Sequence, residues 1–132
     1  MINPFFLLAD DDADDRFLFS EALKLVDPDI HCMMVGNGKE VLTMLQNDFF
    51  SLPDCIFLDM NMPLMTGLEC LQAIKKEADY QSVPVILYST TLEKDIEENI
   101  MKAGAFACFV KPSSPVALAA SLRKLIKASD AR

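Results

Sequence analysis

Short apolar runs alternate with amphipathic stretches along the whole chain. Pro4–Ala9 reads as a buried strand. Ala13–Val26 reads as a helix with apolar residues at Leu18, Ala22 and Leu25 and, on the adjoining row, Phe19, Leu23 and Val26. Ile30–Val35 is strand-like, and Gly36-Asn37-Gly38 turns the chain into a helix through Val41, Leu42 and Leu45. Pro53-Asp54 breaks that unit before a third strand at Cys55–Leu58. Thr66-Gly67 then opens a helix through Leu68, Leu71 and Ile74. Val83–Tyr88 predicts a fourth strand, followed by a helix through Ile96 and Ile100 that stops at Ala103-Gly104, where glycine suits a C-terminal cap. Phe106–Val110 is the fifth strand, and Ser114-Pro115 begins a last helix reaching about Lys127, with proline in its first turn. Strands and helices that alternate in this way predict an α/β fold: a doubly wound parallel sheet of five strands, covered on both faces and joined by right-handed crossovers. No repeat, linker or low-complexity tract interrupts it, so residues 1–132 are expected to form a single domain.

Composition narrows the class. With 52% hydrophobic and 24% charged residues, the 132-residue chain can bury a core and is not disordered. Its apolar runs fall short of the ~18–20 residues of a membrane span. Met1-Ile2-Asn3-Pro4 lacks the basic start of a secretory signal, and three aspartates interrupt the apolar stretch that follows, so a cytoplasmic location is expected. Cys32, Cys55, Cys70 and Cys108 form no C-x-x-C pair and read as reduced core thiols, and His31 alone makes no zinc site. A formal charge of −8 argues against direct contact with nucleic acid, which needs a basic face. Arg123, Lys124 and Lys127 read as a solvated helix end that complements the helix dipole.

Three polar pieces stand at the ends of strands: Asp10-Asp11-Asp12 after the first, Asp59 after the third, and Lys111-Pro112 after the fifth. Taken singly, aspartates before a helix are caps and a lysine is a surface charge. Taken together, carboxylates leaving two buried strands at one sheet edge beside an ammonium describe a site for Mg²⁺ and a phosphoryl group. Mg²⁺ takes one or two carboxylates plus waters and phosphate oxygens. Asp11 and Asp59 can supply such ligands, with Asp10 holding a coordinated water. Bound metal would relieve the mutual repulsion of the three acids. Asp59 is the candidate nucleophile, since a carboxylate can form an acyl phosphate. Lys111 would neutralise phosphoryl oxygens, and Ser89 or Thr90, following the fourth strand, would donate a hydroxyl hydrogen bond.

These residues resemble the receiver domain of the two-component response-regulator family from about Pro4 to Lys127. The shared motifs are Leu8-Ala9-Asp10-Asp11, Leu58-Asp59-Met60-Asn61-Met62-Pro63-Leu64-Met65-Thr66-Gly67, Ser89-Thr90 and Lys111-Pro112. The resemblance implies a flavodoxin-like strand order 2-1-3-4-5, whose switch point for ligands lies between strands one and three. It implies phosphorylation of Asp59 by a phosphohistidine on a sensor histidine kinase or phosphotransfer protein. Asp11, Asp59 and the backbone carbonyl of Asn61 would hold Mg²⁺, with Asp10 completing the acidic pair. Ser89 would act as the switch hydroxyl and Lys111 as the family's lysine, with a cis bond to Pro112. Output would pass to a downstream protein through the helix 4–strand 5–helix 5 face. The protein would be a stand-alone phosphoacceptor signalling protein rather than an enzyme acting on another substrate, with no membrane partner.

The sequence departs from the family pattern at three places. Cys108 stands where the switch aromatic is expected, with Phe106 and Phe109 as possible replacements, and Ser113 follows Lys111-Pro112 in place of a bulky apolar residue. Thr90 replaces a small residue, which implies slower hydrolysis of the acyl phosphate than in a Thr90→Ala variant. The alternative is a pseudo-receiver that binds a partner regardless of phosphorylation. Cys108 keeps that alternative open, while the complete Asp10, Asp11, Asp59, Ser89 and Lys111 set weighs against it. A phosphatase with an Asp-x-Asp pair is disfavoured because the second position is Asn61, and a nucleotide or flavin carrier lacks a glycine-rich cradle after strand one.

Overall fold

A computed structural model describes residues 4–47 and 51–130; the reading of Met1–Asn3 as free of a leader lies outside these residues. Five strands, β1 (Phe5–Ala9), β2 (His31–Val35), β3 (Cys55–Asp59), β4 (Val85–Ser89) and β5 (Ala107–Val110), alternate with five helices. These are α1 (Ala13–Val26), α2 (Gly38–Leu45), α3 (Gly67–Lys76), α4 (Lys94–Lys102) and α5 (Pro115–Asp130). A single 3₁₀ turn at Ala78–Tyr80, not expected from the sequence, sits between α3 and β4. All strand pairs are parallel, in the order β2-β1-β3-β4-β5. Observed ends match the expected ones, as at both ends of α1, or differ by up to three residues, the normal uncertainty of frayed termini.

Side chains of a strand alternate between the two faces of the sheet, so each buried strand feeds two cores. Phe6, Leu8, Cys55, Phe57, Ile86 and Tyr88 pack with Phe19, Ala22 and Leu23 of α1 and Leu118, Ala119 and Leu122 of α5. On the opposite face, Leu7, Ala9, Ile56, Leu58, Val85 and Leu87 pack with Val41 and Leu45 of α2, Leu71 and Ile74 of α3 and Ile100 of α4. Burying one such Leu, Ile or Phe side chain contributes about 1.5–3 kcal/mol. Both faces of β3 and β4 are covered, which explains their unbroken apolar sequences. Leu25, expected on the apolar stripe of α1, faces solvent instead; the contact with α5 runs along Phe19, Ala22 and Leu23. Arg123 closes that helix pair by donating from Nη2 to the Leu25 carbonyl at 2.9 Å, a role its reading as a helix-end charge did not foresee.

Caps fix where helices leave the functional edge. Asp12 caps α1 by accepting from the Asp15 N–H, and Asn37 caps α2 by accepting from Glu40. Thr66 and Glu69 form a reciprocal capping box on α3. A side chain at Gly67 would run into the Asp59 carbonyl, so glycine is what allows α3 to start against the end of β3. Gly104, at φ 107, ends α4 as expected. The expected cis bond before Pro112 is not found. No described residue has a cis peptide bond, and trans is the lower-energy isomer even before proline, by ~0.5–1 kcal/mol.

Candidate functional site

The register of the sheet assembles the site. Ala9 pairs with Leu58, Asp59 with Tyr88, and Tyr88 with Phe109. Asp10, one residue past Ala9, is therefore level with Asp59, and Asp10, Asp59, Tyr88 and Phe109 share one row and one face at the carboxyl edge. Lys111 follows two residues after Phe109, again on this face. Ser89 is one residue past Tyr88 and points to the other face.

Asp10 is wholly buried, Asp59 nearly so and Asp11 exposed. One carboxylate oxygen from each lies within 4.8 Å of the others. Such an all-oxygen set, open to water on the Asp11 side, fits a hard divalent cation. Asp10 is held by three donors: the Asp12 N–H on Oδ1 at 3.0 Å, and the Tyr88 hydroxyl at 2.6 Å and Lys111 Nζ at 3.1 Å on Oδ2. Its backbone carbonyl accepts from Arg16 Nη1 at 2.8 Å. Lys111 Nζ lies 3.2 Å from Asp59 Oδ1, which brings the expected nucleophile and ammonium into direct contact.

These neighbours set the protonation states. Burial pushes the Asp59 carboxyl up to about 6 and the Asp10 charge adds to the rise, while Lys111 and the Asn61 N–H pull the other way. For Lys111, burial alone would lower the pKa. The hydrogen bond to Asp15 and the charge of Asp10 outweigh it, so the ammonium is held above its ordinary range. The Tyr88 hydroxyl is raised by burial and then by the Asp10 charge, so it remains a hydrogen-bond donor.

Asp11, Asp59 and Lys111 stand where the sequence places them. Asp12 alone of the acidic run takes the helix-capping role that aspartates before a helix suggest. Ser89 is buried at the end of β4 and its carbonyl accepts the Lys111 N–H at 2.7 Å, while Thr90 is exposed just beyond. Asn61 lies two residues past Asp59, and its N–H bonds the Asp59 carboxylate.

Two residues were missed. Asp15 makes the shortest contact to Lys111 Nζ, 2.7 Å; in sequence it is indistinguishable from an acid that complements the start of a helix. Tyr88 bonds Asp10, lies beneath Lys111 with Nζ 4.8 Å from its ring centroid, and stacks on Phe109 at 5.5 Å. Strand alternation offered a signal, since Tyr88 has the parity that points away from the Ser89 face. Phe109 consequently couples to Tyr88, while Cys108 lies on the α3–α4 side, half-buried against that core.

The backbone at Leu64, in the loop between β3 and α3, has φ 68, the left-handed region that a leucine rarely occupies. Leu64 is 73% exposed, so burial offsets little of this strain.

Comparison with known proteins agrees with this geometry. Residues 6–123 match the response regulator receiver domain family. A probable transcriptional regulator, ycf27 of Porphyridium aerugineum, is 29% identical over 126 residues, covering 94% of this chain and 48% of its own. A protein-glutamate methylesterase/protein-glutamine glutaminase of Geobacillus kaustophilus is 38% identical over 84 residues, 62% of this chain and 22% of its own. The crystal structure of chemotaxis response regulator CheY4 of Vibrio cholerae superposes with a TM-score of 0.80 at 27% identity, over 92% of this chain and 98% of that one. The chain belongs to the response regulator receiver domain family, the phosphoacceptor module of two-component signalling, whose members bind Mg²⁺ at an acidic cluster and interact with histidine kinases and effectors. It spans about half, or less, of the length of these two curated relatives. Among the described residues, no helix is long and apolar enough to cross a membrane.

Proposed function

We propose that Asp59 accepts a phosphoryl group from a phosphohistidine of a sensor histidine kinase or phosphotransfer protein, and that the domain switches its partner-binding surface in response. The observation that carries the reading is the convergence of Asp10, Asp11 and Asp59 within 4.8 Å, with Lys111 Nζ 3.2 Å from the Asp59 carboxylate. An Asp59 oxygen attacks phosphorus and forms the O–P bond as the P–N bond breaks. The imidazole leaves with the electron pair and retains or takes up a proton. Asp10, Asp11, Asp59 and the Asn61 carbonyl would hold Mg²⁺, which when bound neutralises phosphoryl oxygens and draws the carboxylates together. Lys111, just past β5, donates to a phosphoryl oxygen, and Ser89, with Thr90 beside it, supplies a hydroxyl hydrogen bond.

The acyl phosphate carries about −1.5 to −2 charge in place of the single charge of the carboxylate, and it brings strong acceptors. Drawing Ser89 and Lys111 toward it biases the loops that lead into α4 and α5. Ile96 and Met101 on α4, Val110 on β5 and Val116 at the start of α5 are exposed apolar residues around that face, and they suit it to docking a downstream protein.

The test is intact mass after incubation with acetyl phosphate, with and without Mg²⁺, beside Asp59→Asn. A Mg²⁺-dependent gain of one phosphoryl group, lost in the variant, is expected. No gain in the wild type would overturn the reading in favour of phosphorylation-independent partner binding.

A further inference from the structure

We propose that Asp15 is a positioning residue that restrains Lys111 and thereby weakens phosphoryl binding at Asp59, a reading that rests on Asp59 being the phosphoacceptor. An ammonium has three N–H groups, and Lys111 Nζ faces three carboxylates: Asp15 Oδ2 at 2.7 Å, Asp10 Oδ2 at 3.1 Å and Asp59 Oδ1 at 3.2 Å. Nζ donates hydrogen bonds to Asp15 and Asp10 and stands within ion-pair distance of Asp59, so it is already held by carboxylates before any phosphoryl group arrives. The tightest of the three contacts goes to a residue outside the Asp10, Asp11 and Asp59 trio that can hold a metal.

Asp15 is well placed to keep that hold. It lies in the first turn of α1, anchored by its own N–H to the Asp12 cap, so its carboxylate is carried on a rigid element rather than a loop. Lys111 is only 12% exposed and Asp15 36%, which leaves their contact partly shielded from solvent. When Asp59 carries a phosphoryl group, Lys111 must direct an N–H to a phosphoryl oxygen. Asp15 opposes this in two ways: it keeps the ammonium on the α1 side, and its charge repels the incoming dianion. Asp10 cannot play this part alone, because its oxygens are also bound by Tyr88 and the Asp12 N–H. Asp15 thereby acts as an internal competitor that biases the site toward its unphosphorylated form.

The test measures the affinity for beryllofluoride, an acyl-phosphate mimic, by calorimetry and fluorine NMR at saturating Mg²⁺. The full chain is used as wild type and as Asp15→Asn, Asp15→Glu and Asp14→Asn. Asp14 is exposed in the same helical turn and serves as a control for net charge alone. Asp15→Asn is expected to bind roughly three- to tenfold more tightly, as suits one partly solvated charge. Asp15→Glu, which restores the charge, returns toward wild type, and Asp14→Asn stays at the wild-type value. Thermal unfolding of each variant confirms that it is folded. Equal or weaker binding by folded Asp15→Asn, or the same gain in Asp14→Asn, would overturn the proposal. Absence of Mg²⁺-dependent binding by the wild type would overturn the reading of Asp59 itself, and this proposal with it.

Discussion

Replacing Asp59 by asparagine should stabilise the metal-free protein, and by an amount that grows with pH. Burial and the Asp10 charge raise the Asp59 carboxyl from 3.8 to about 6. The folded chain therefore favours the protonated acid. Stability from this group is fully present below the unfolded value and is lost as pH rises through the folded one. At ~1.4 kcal/mol per tenfold change the whole loss is about 3 kcal/mol. Asparagine has the same shape, can still accept from Lys111 and the Asn61 N–H, and carries no charge to lose. Urea unfolding in a chelator should show Asp59→Asn ahead of wild type by about 0.5 kcal/mol near pH 4 and about 3 kcal/mol near pH 7.5. Adding Mg²⁺ at neutral pH should stabilise the wild type more than the variant, since a ligand that binds only the folded state adds stability through its affinity. A gap that does not change with pH, or one that is larger in acid, would refute the electrostatic account of this site.

Three further outcomes follow from particular residues. Lys111→Met removes the ammonium shared by Asp10, Asp15 and Asp59. Calorimetry should show Mg²⁺ binding several-fold more tightly, while intact mass shows phosphorylation from acetyl phosphate falling by at least about tenfold. Leu64→Gly relieves a positive-φ leucine that is largely exposed, and urea unfolding should show stability rising by up to about 1 kcal/mol, after allowing for glycine's unfolded-state entropy. Gly67→Ala drives a methyl group into the Asp59 carbonyl, so it should cost more than about 2 kcal/mol in the same assay and also slow phosphorylation, because α3 and the end of β3 must separate.

The sequence by itself determined the alternation of strands and helices and the positions of the acidic and basic residues at strand ends. Hydrophobic periodicity and local caps are properties of neighbouring residues, and Asn37, Thr66 and Gly104 do locally what their chemistry suggests. Asp59 and Lys111 could be singled out because each ends an apolar run. The partners of the site were a different matter. Asp15 reads as a helix-start acid and Tyr88 as one more apolar strand residue until β-sheet register sets Asp10 level with Asp59 and Tyr88. The contacts that result join residues 78, 96 and 101 positions apart in the chain. Leu25 likewise fits the apolar stripe of α1, but only the docking of α5 decided which row would be buried. Local sequence carries the period of each element. Which side chains share one ammonium depends on the register and packing of elements far apart in sequence, and only the tertiary structure fixes these.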